Sequence, residues 1–177
     1  FIEKVGTVIA HFSLAGGKIG VNTTIPSQEY LPGDIVPNVG TPTREHYTFN
    51  GWSPALNSVI TETTTYTAQW TPVNYTFTYD LNGGNISGST ADKTTSGAYN
   101  TTSTKPADPT RTHYTFNGWS PAVPSTYTGN NTYTAQWTPV NYTFTYNLNG
   151  GNIGGATANV TKRGAYGSTS AKPANPT

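Results

Sequence analysis

Histidine side chains are the first candidates for acid–base or metal chemistry in this sequence. The chain has 177 residues and contains three of them, His11, His46 and His113. His46 and His113 open two copies of the stretch HYTFNGWSPA, which lie 113 − 46 = 67 residues apart. A metal or catalytic site needs side chains that converge within a few ångström. Because these two histidines hold the same position in separate copies, we predict a structural or surface role for them and no metal site.

The acidic side chains offer no better candidate for catalysis. Asp80 and Asp108 are replaced by Asn147 and Asn175 at the equivalent positions of the next copy. A mechanism shared by the copies would need the acid in both. No nucleophile elbow, zinc-protease, phosphate-loop or calcium-loop motif is present. The sequence therefore predicts no catalytic residue, no cofactor-binding residue, no cofactor and no enzyme activity.

Arg44 and Arg111 are the arginines that recur, each in the tripeptide PTR ahead of YTFNGW. One interpretation is a surface contact to a carboxylate or a glycan. The other, which we favour, is a cation stacked on a nearby Tyr or Trp ring or hydrogen-bonded to a loop carbonyl.

Tryptophan rings could form a face that stacks on sugars, or they could belong to the core. A unit of 67 residues is small, buries only about 60% of its chain surface, and needs large apolar anchors. We therefore predict core positions for the tryptophans and for the aromatic residues of the strands described below. The predicted core residues are Trp52, Trp70, Trp119, Trp137, Tyr75, Phe77, Tyr142 and Phe144.

Composition limits the kinds of partner. The net charge is +1 and only 10% of residues are charged, which disfavours a nucleic-acid partner because that needs clustered Lys and Arg. No apolar run approaches the roughly 20 residues that span a bilayer. The chain has neither Cys nor Met, so it has no disulfide and no thiol to oxidise. These features suit a protein outside a bacterial cell.

The elements that would position these side chains come from a repeat. The stretch TYTAQWTPVNYTFTY occurs at 65–79 and again at 132–146, and the same offset aligns LNGGNI at 81–86 with 148–153. Internal repetition is a strong guide to architecture. It predicts repeat 1 at 1–74 with a divergent lead-in at 1–7, repeat 2 at 75–141, and a partial repeat 3 at 142–177.

Within a repeat, the pattern of apolar residues predicts strands. Tyr75, Phe77, Tyr79 and Leu81 alternate with polar residues, and Asn82-Gly83-Gly84 follows as a turn signal. Trp119 falls out of register with Tyr114 and Phe116, so a bulge is predicted at Asn117-Gly118. The segment 87–104 is predicted as a loop and an exposed strand ending near Ala98-Tyr99, although a short helix there is an open alternative.

The motif order resembles a known family. An aromatic strand ending in NGG, then PxxPTRxxYTFxGW, then TxYxAxW is similar to the Listeria–Bacteroides repeat, the B-repeat of internalin-type bacterial surface proteins. The matching pieces are 75–84, 106–119 and 132–137, and in the first unit 8–17, 38–52 and 65–70. The resemblance implies a small, mostly β, β-grasp-like domain without enzyme activity, which occurs in tandem in cell-surface proteins and adhesins.

Together these observations predict tandem repeats of 67 residues arranged as an elongated rod. The predicted function is a non-enzymatic stalk or filament segment of a bacterial surface protein, with neighbouring repeats or identical subunits as partners. The partial repeat would be completed by further sequence or by a strand from another chain. A module that binds a glycan or a host protein is the alternative. Stiff inter-repeat joints are predicted at Thr71, Pro72, Val73, Asn74, Thr138, Pro139, Val140 and Asn141.

Overall fold

The structure, a computed structural model, describes residues 6–169 and 171–177. Over these residues the secondary structure is entirely β, and no helix is present. The ten strands are β1 (Val8–Ser13), β2 (Ile25–Tyr30), β3 (Tyr47–Ser53), β4 (Thr64–Pro72), β5 (Asn74–Asp80), β6 (Lys93–Ala98), β7 (Tyr114–Ser120), β8 (Asn131–Pro139), β9 (Asn141–Tyr146) and β10 (Val160–Ala165). The predicted mostly β fold of tandem repeats is confirmed, and β6 takes the place of the helix considered for 87–104.

The strands form three sheets. Two are four-stranded, with the orders β2-β1-β4-β3 and β6-β5-β8-β7, and the third pairs β10 with β9. In each large sheet the two central strands are parallel, and the last two strands are antiparallel. The same topology therefore occurs in both copies of the repeat.

Alternation along the strands decides which side chains enter the cores. In β5, Phe77 and Tyr79 are fully buried, while the neighbouring Thr76 and Thr78 are only partly covered. In β8, Tyr133 and Ala135 are buried in the same way. Threonine and aromatic residues suit such half-buried strands because their side chains pack well on a pleated surface.

The predicted turn and bulge are both present. Gly84 N–H donates to Leu81 O at 2.8 Å, and Asn82 and Gly83 both have positive φ, as a tight turn with two left-handed residues requires. The register of β7 against β8 shifts between Phe116 and Trp119. Gly118 takes a φ of 98° inside that bulge, a conformation that favours glycine.

The predicted core residues have different degrees of burial. Phe77 is completely buried, whereas Tyr75 and the four tryptophans are half-buried. Tyr142 and Phe144 are 39% and 51% exposed, so the structure does not place them in a core. The reason is their strand: among the residues that the structure describes, β9 pairs only with β10, whereas β5 pairs with both β6 and β8.

Contacts group the chain into two compact units. The first holds the residues up to Tyr75 together with Gly97–Thr101 and Thr126–Thr128; the second holds Thr76–Ser96, Thr102–Ser125 and the residues from Gly129 onward. Two short segments of the predicted repeat 2 thus belong to the first unit. The predicted domain boundaries at Asn74 and Asn141 stay a prediction.

Candidate functional site at the repeat joints

The joints between repeats are shorter than the four residues that the sequence indicated. Thr71 and Pro72 belong to β4, and Asn74 opens β5, so Val73 is the single residue between two strands. At the next joint, Val140 alone separates β8, which ends at Pro139, from β9, which begins at Asn141.

Backbone hydrogen bonds hold Val73 from both sides. Its N–H donates to His46 O at 2.9 Å, and its carbonyl accepts from Tyr99 N–H at 2.8 Å. A residue with both backbone groups bonded cannot turn about φ or ψ without breaking one of these bonds. Val73 is therefore fixed by backbone contacts, in addition to the stiffness that Pro72 gives the chain.

Aromatic rings surround the same point. The His46 ring stacks on Tyr99 with 4.1 Å between ring centroids, and its Nδ1 is hydrogen-bonded to Tyr75 Oη at 2.8 Å. Tyr47 meets Tyr99 edge to face at 5.7 Å. We call His46, Tyr47, Val73, Tyr75 and Tyr99 the first joint cluster. All five residues lie in the first compact unit.

A second cluster repeats this geometry and lies wholly in the second compact unit. Val140 N–H donates to His113 O at 2.8 Å, and Tyr166 N–H donates to Val140 O at 2.9 Å. His113 stacks on Tyr166 at 4.2 Å and is hydrogen-bonded to Tyr142 Oη at 2.7 Å. We call His113, Tyr114, Val140, Tyr142 and Tyr166 the second joint cluster. Its close match to the first indicates that the joint is a defined part of the repeat.

The recurring arginines support the turn that carries these histidines. Arg44 stacks over the Tyr47 ring at 3.8 Å and donates from Nη1 to Ala15 O at 3.0 Å. Arg111 stacks over Tyr114 at 4.1 Å and donates to Asn82 O at 3.1 Å. Each arginine thus stacks on a tyrosine ring and donates a hydrogen bond to a loop carbonyl, as the favoured interpretation of the sequence predicted.

The tryptophans do not form a row of exposed rings. Trp70 and Trp137 donate from Nε1 to Leu14 O at 3.0 Å and to Leu81 O at 3.3 Å. Trp52 and Trp119 pack edge to face on neighbouring aromatic rings of their own sheets, and their buried Nε1 atoms have no hydrogen-bond partner among the protein atoms described. All four rings serve the packing of the sheets.

Chemistry-bearing clusters are missing from the described part of the chain. Residues 6–169 and 171–177 contain no group of three or more His, Asp or Glu side chains placed to hold a metal ion. The same residues contain no helix that is long and apolar enough to cross a membrane.

Sequence reasoning missed the tyrosines that complete the joint clusters. Tyr99 and Tyr166 both follow Gly-Ala, at 97–99 and 164–166, with the 67-residue offset of the repeat. The repeated Gly-Ala-Tyr tripeptide could have indicated these tyrosines from the sequence. The tripeptide lies inside a segment of low apolar content, where the alternation of side chains gives little information about burial.

Comparison with known proteins agrees with the repeat. The family profile of the Listeria-Bacteroides repeat domain matches residues 10–73 and 75–139, which is well over half of the chain. A comparison with curated proteins finds no significant match. The chain belongs to the Listeria-Bacteroides repeat domain family.

Proposed function

We propose that this chain is a non-enzymatic structural segment of a bacterial cell-surface protein, which acts outside the cell as part of a stalk or filament. The observation that carries the proposal is the joint cluster. A single residue connects two sheets, and its backbone N–H and C=O are both bonded. A stalk needs joints of this kind, because a flexible linker would let neighbouring modules fold back on each other.

The family supports the location at the cell surface, since this type of repeat is typical of surface proteins. The composition agrees with it, because a chain without Cys or Met has no thiol or thioether to oxidise. Surface location can be tested with an antibody against the repeats on intact and on permeabilised source cells. Labelling of permeabilised cells alone would contradict the proposal.

Solution scattering tests the stalk. If each repeat is about 30 Å across, a row of two and a half repeats has a maximum dimension of about 70–80 Å. We expect that value for the wild type, and a broader distribution of distances for a variant that carries both His46→Ala and Tyr99→Ala. A wild-type profile typical of a compact sphere, or an unchanged profile for the variant, would contradict a stalk held by its joints.

A binding module is a second candidate, favoured by one groove. A groove of about 430 Å³ in the second unit is lined by Phe116, Gly118, Trp119, Lys105 and Asp108, among others. It offers aromatic rings beside one positive and one negative side chain, which suits a neutral glycan better than a charged one. Repeat 1 has Asn38 and Thr41 where repeat 2 has Lys105 and Asp108.

This difference between the repeats gives a matched test of glycan binding. Neutral oligosaccharides would be titrated into the labelled chain and followed by NMR. Binding should perturb the Gly118 and Trp119 signals and should weaken when Lys105→Asn and Asp108→Thr are combined. Equal perturbation at Gly51 and Trp52, the equivalent residues of repeat 1, would argue against a specific groove.

A further inference from the structure

Four Asn-Gly pairs occur in the sequence, and they fall into two structural classes. Asn82-Gly83 and Asn149-Gly150 lie in NGG turns, whereas Asn50-Gly51 and Asn117-Gly118 lie in the bulges of β3 and β7. Asparagine is a thermolabile residue, and a following glycine has no side chain that would hinder its backbone nitrogen from attacking the carboxamide. The surroundings of each pair therefore decide whether it reacts.

The bulge takes one such pair out of the regular ladder in each repeat. Asn50-Gly51 lies opposite the single residue Gln69 of β4, and Asn117-Gly118 is placed in the same way against β8. Both β3 and β7 are edge strands, and both asparagines are exposed. Water can therefore reach each pair, to take up a proton and to hydrolyse an intermediate.

The carboxamide in the bulge is bound to a group that can move away. Asn50 Nδ2 donates to Thr71 Oγ1 at 2.5 Å, and Asn117 Nδ2 donates to Thr138 Oγ1. All four residues are exposed, and exposed side chains change rotamer within picoseconds to nanoseconds. Each bulge carboxamide can thus turn toward the next backbone nitrogen while the sheet stays intact.

The NGG turn holds its asparagine more firmly. Asn82 Nδ2 donates at 2.9 Å to the carbonyl of Ala135, a fully buried residue, and Asn82 N–H donates to Asp80 Oδ1 at 2.8 Å. Turning this carboxamide toward the nitrogen of Gly83 would break its bond to the backbone of β8. Asn82 is therefore protected, and it provides an internal control in the same chain.

We propose that Asn50 and Asn117 are modification sites, at which spontaneous deamidation places one carboxylate in the bulge of each repeat. The backbone nitrogen of Gly51 attacks Cγ of Asn50 and gives its proton to water. The bond between Cγ and Nδ2 breaks, ammonia leaves, and a succinimide ring remains. A water molecule then opens the ring and leaves aspartate or isoaspartate. Gly118 and Asn117 react in the same way.

The reaction changes the charge of an almost neutral chain. When both sites have reacted, the net charge goes from +1 to 1 − 2 = −1. Both new charges lie on edge strands, where charged side chains disfavour pairing with another sheet. Isoaspartate also lengthens the backbone by one carbon atom, which a bulge accommodates because it already interrupts the ladder. This inference does not depend on the stalk role, so either can fail without the other.

Peptide mapping by mass spectrometry tests the two sites. The whole chain is incubated at mildly alkaline pH, once folded and once unfolded in guanidinium chloride, and fragment spectra locate deamidation at positions 50, 82 and 117. The three positions should react at similar rates in the unfolded chain, since glycine follows each of them. In the folded chain, positions 50 and 117 should react at least about tenfold faster than position 82, a barrier difference of about 1.4 kcal/mol. Equal rates at all three positions of the folded chain, or no reaction at 50 and 117, would overturn the proposal.

Glutamine variants provide the matched controls. Asn50→Gln keeps a carboxamide but must close a larger ring, so reaction at position 50 should stop while position 117 keeps its wild-type rate. Asn117→Gln should give the converse result. Loss of reaction at both positions in either single variant would overturn the local origin of the reaction in each bulge.

Two double variants test the consequence of the new charges. Asn50→Asp combined with Asn117→Asp mimics the modified chain, and Asn50→Gln combined with Asn117→Gln keeps both positions neutral. Light scattering at high protein concentration and low salt should show slower association of the acidic variant. Equal association of the two variants would overturn the effect on the sheet edges, while the mass spectra decide the sites themselves.

Discussion

At Gly84, the space beside the α-carbon is filled by an indole ring. A Cβ atom there would lie 2.4 Å from Cζ2 of Trp137, and the same distance separates the Gly17 position from Trp70. Real Cβ atoms do not approach so closely, so the ring or the turn must move if a methyl group is added. At Gly17 and Gly84, tryptophan packing thus leaves no room for a larger side chain.

We predict that Gly84→Ala destabilises repeat 2 by about 1–3 kcal/mol, the usual cost of overpacking a core. Equilibrium unfolding in urea, followed by tryptophan fluorescence, measures the change. Gly129→Ala is the control, because a Cβ atom there has no neighbour closer than 3.9 Å. An effect of Gly129→Ala as large as that of Gly84→Ala would contradict the packing explanation.

The burial of Tyr133 predicts that the folded chain loses stability at alkaline pH. Burial, with a smaller contribution from Tyr79, raises the pKa of Tyr133 above its ordinary value of 10.0. The unfolded chain therefore releases this proton at lower pH than the folded chain does. The stabilisation that the protonated Tyr133 side chain contributes is complete below about pH 10. It is lost as the pH rises through the pKa that Tyr133 has in the folded chain.

We would measure the free energy of unfolding of wild type and of Tyr133→Phe between about pH 9 and pH 11. The difference between the two isolates the contribution of Tyr133. The free energy of unfolding of the wild type should fall more steeply over this interval than that of the variant. Equal slopes would show that Tyr133 does not cause the difference.

At the scale of the elements, the first joint cluster lies where β4 ends and β5 begins. We predict that His46→Ala and Tyr99→Ala each increase the hydrogen-exchange rate of the backbone amides at positions 73 and 99. The physical reason is that ring stacking covers the two backbone bonds at Val73. Exchange of amides in the centre of β4, such as that of Ala68, serves as the internal control and should be unaffected.

The hydrogen bond within the joint can be separated from the stacking. His46→Phe keeps an aromatic ring but cannot bond to Tyr75 Oη. A double-mutant cycle of His46→Phe with Tyr75→Phe should give a coupling energy of about 0.5–1.5 kcal/mol, which is typical of one hydrogen bond. A coupling energy of zero would show that stacking on Tyr99 alone holds the histidine.

Period-two alternation and turn chemistry were sufficient to predict most strands. The runs that include Phe77, Tyr114 and Tyr133 all became strands because their side chains alternate regularly, and the Asn117-Gly118 bulge followed from the register of Trp119. Burial was harder to predict. Tyr142 and Phe144 repeat the sequence of a buried strand, but their exposure depends on whether a neighbouring strand covers them.

The joint clusters could not be predicted for a related reason. His46 and Tyr99 lie 53 residues apart in sequence (99 − 46), and their stacking depends on the path of the chain between them. No local pattern reports such a contact. The repeated Gly-Ala-Tyr tripeptide shows only that the position matters.

For the molecule as a whole, charge contributes little to stability. Within residues 6–169 and 171–177, the one close approach of a basic to an acidic side chain is His46 Nε2 to Glu45 Oε1 at 3.5 Å, and the Glu45 side chain is 88% exposed. An exposed pair of this kind contributes about 0–1 kcal/mol at most. Stability therefore comes from aromatic packing and backbone hydrogen bonds.

We predict that the free energy of unfolding changes by less than about 0.5 kcal/mol between low and high NaCl concentration. Urea unfolding at a series of salt concentrations measures it. Glu45→Gln is the control and should behave like the wild type. A large drop in stability with salt would mean that electrostatic contacts stabilise the fold more than its few charges indicate.

The bulge in β3 and β7 has a consequence for crowded surfaces. Both strands lie at the edge of their sheets, where unpaired backbone groups can template the growth of amyloid-like assemblies. The glycines of the bulge, Gly51 and Gly118, have φ values of 107° and 98°, and the register shift beside them interrupts the straight row of donors and acceptors. Molecules with few charges cannot rely on electrostatic repulsion to stay apart. An irregular edge therefore disfavours the fusion of neighbouring copies into one continuous sheet.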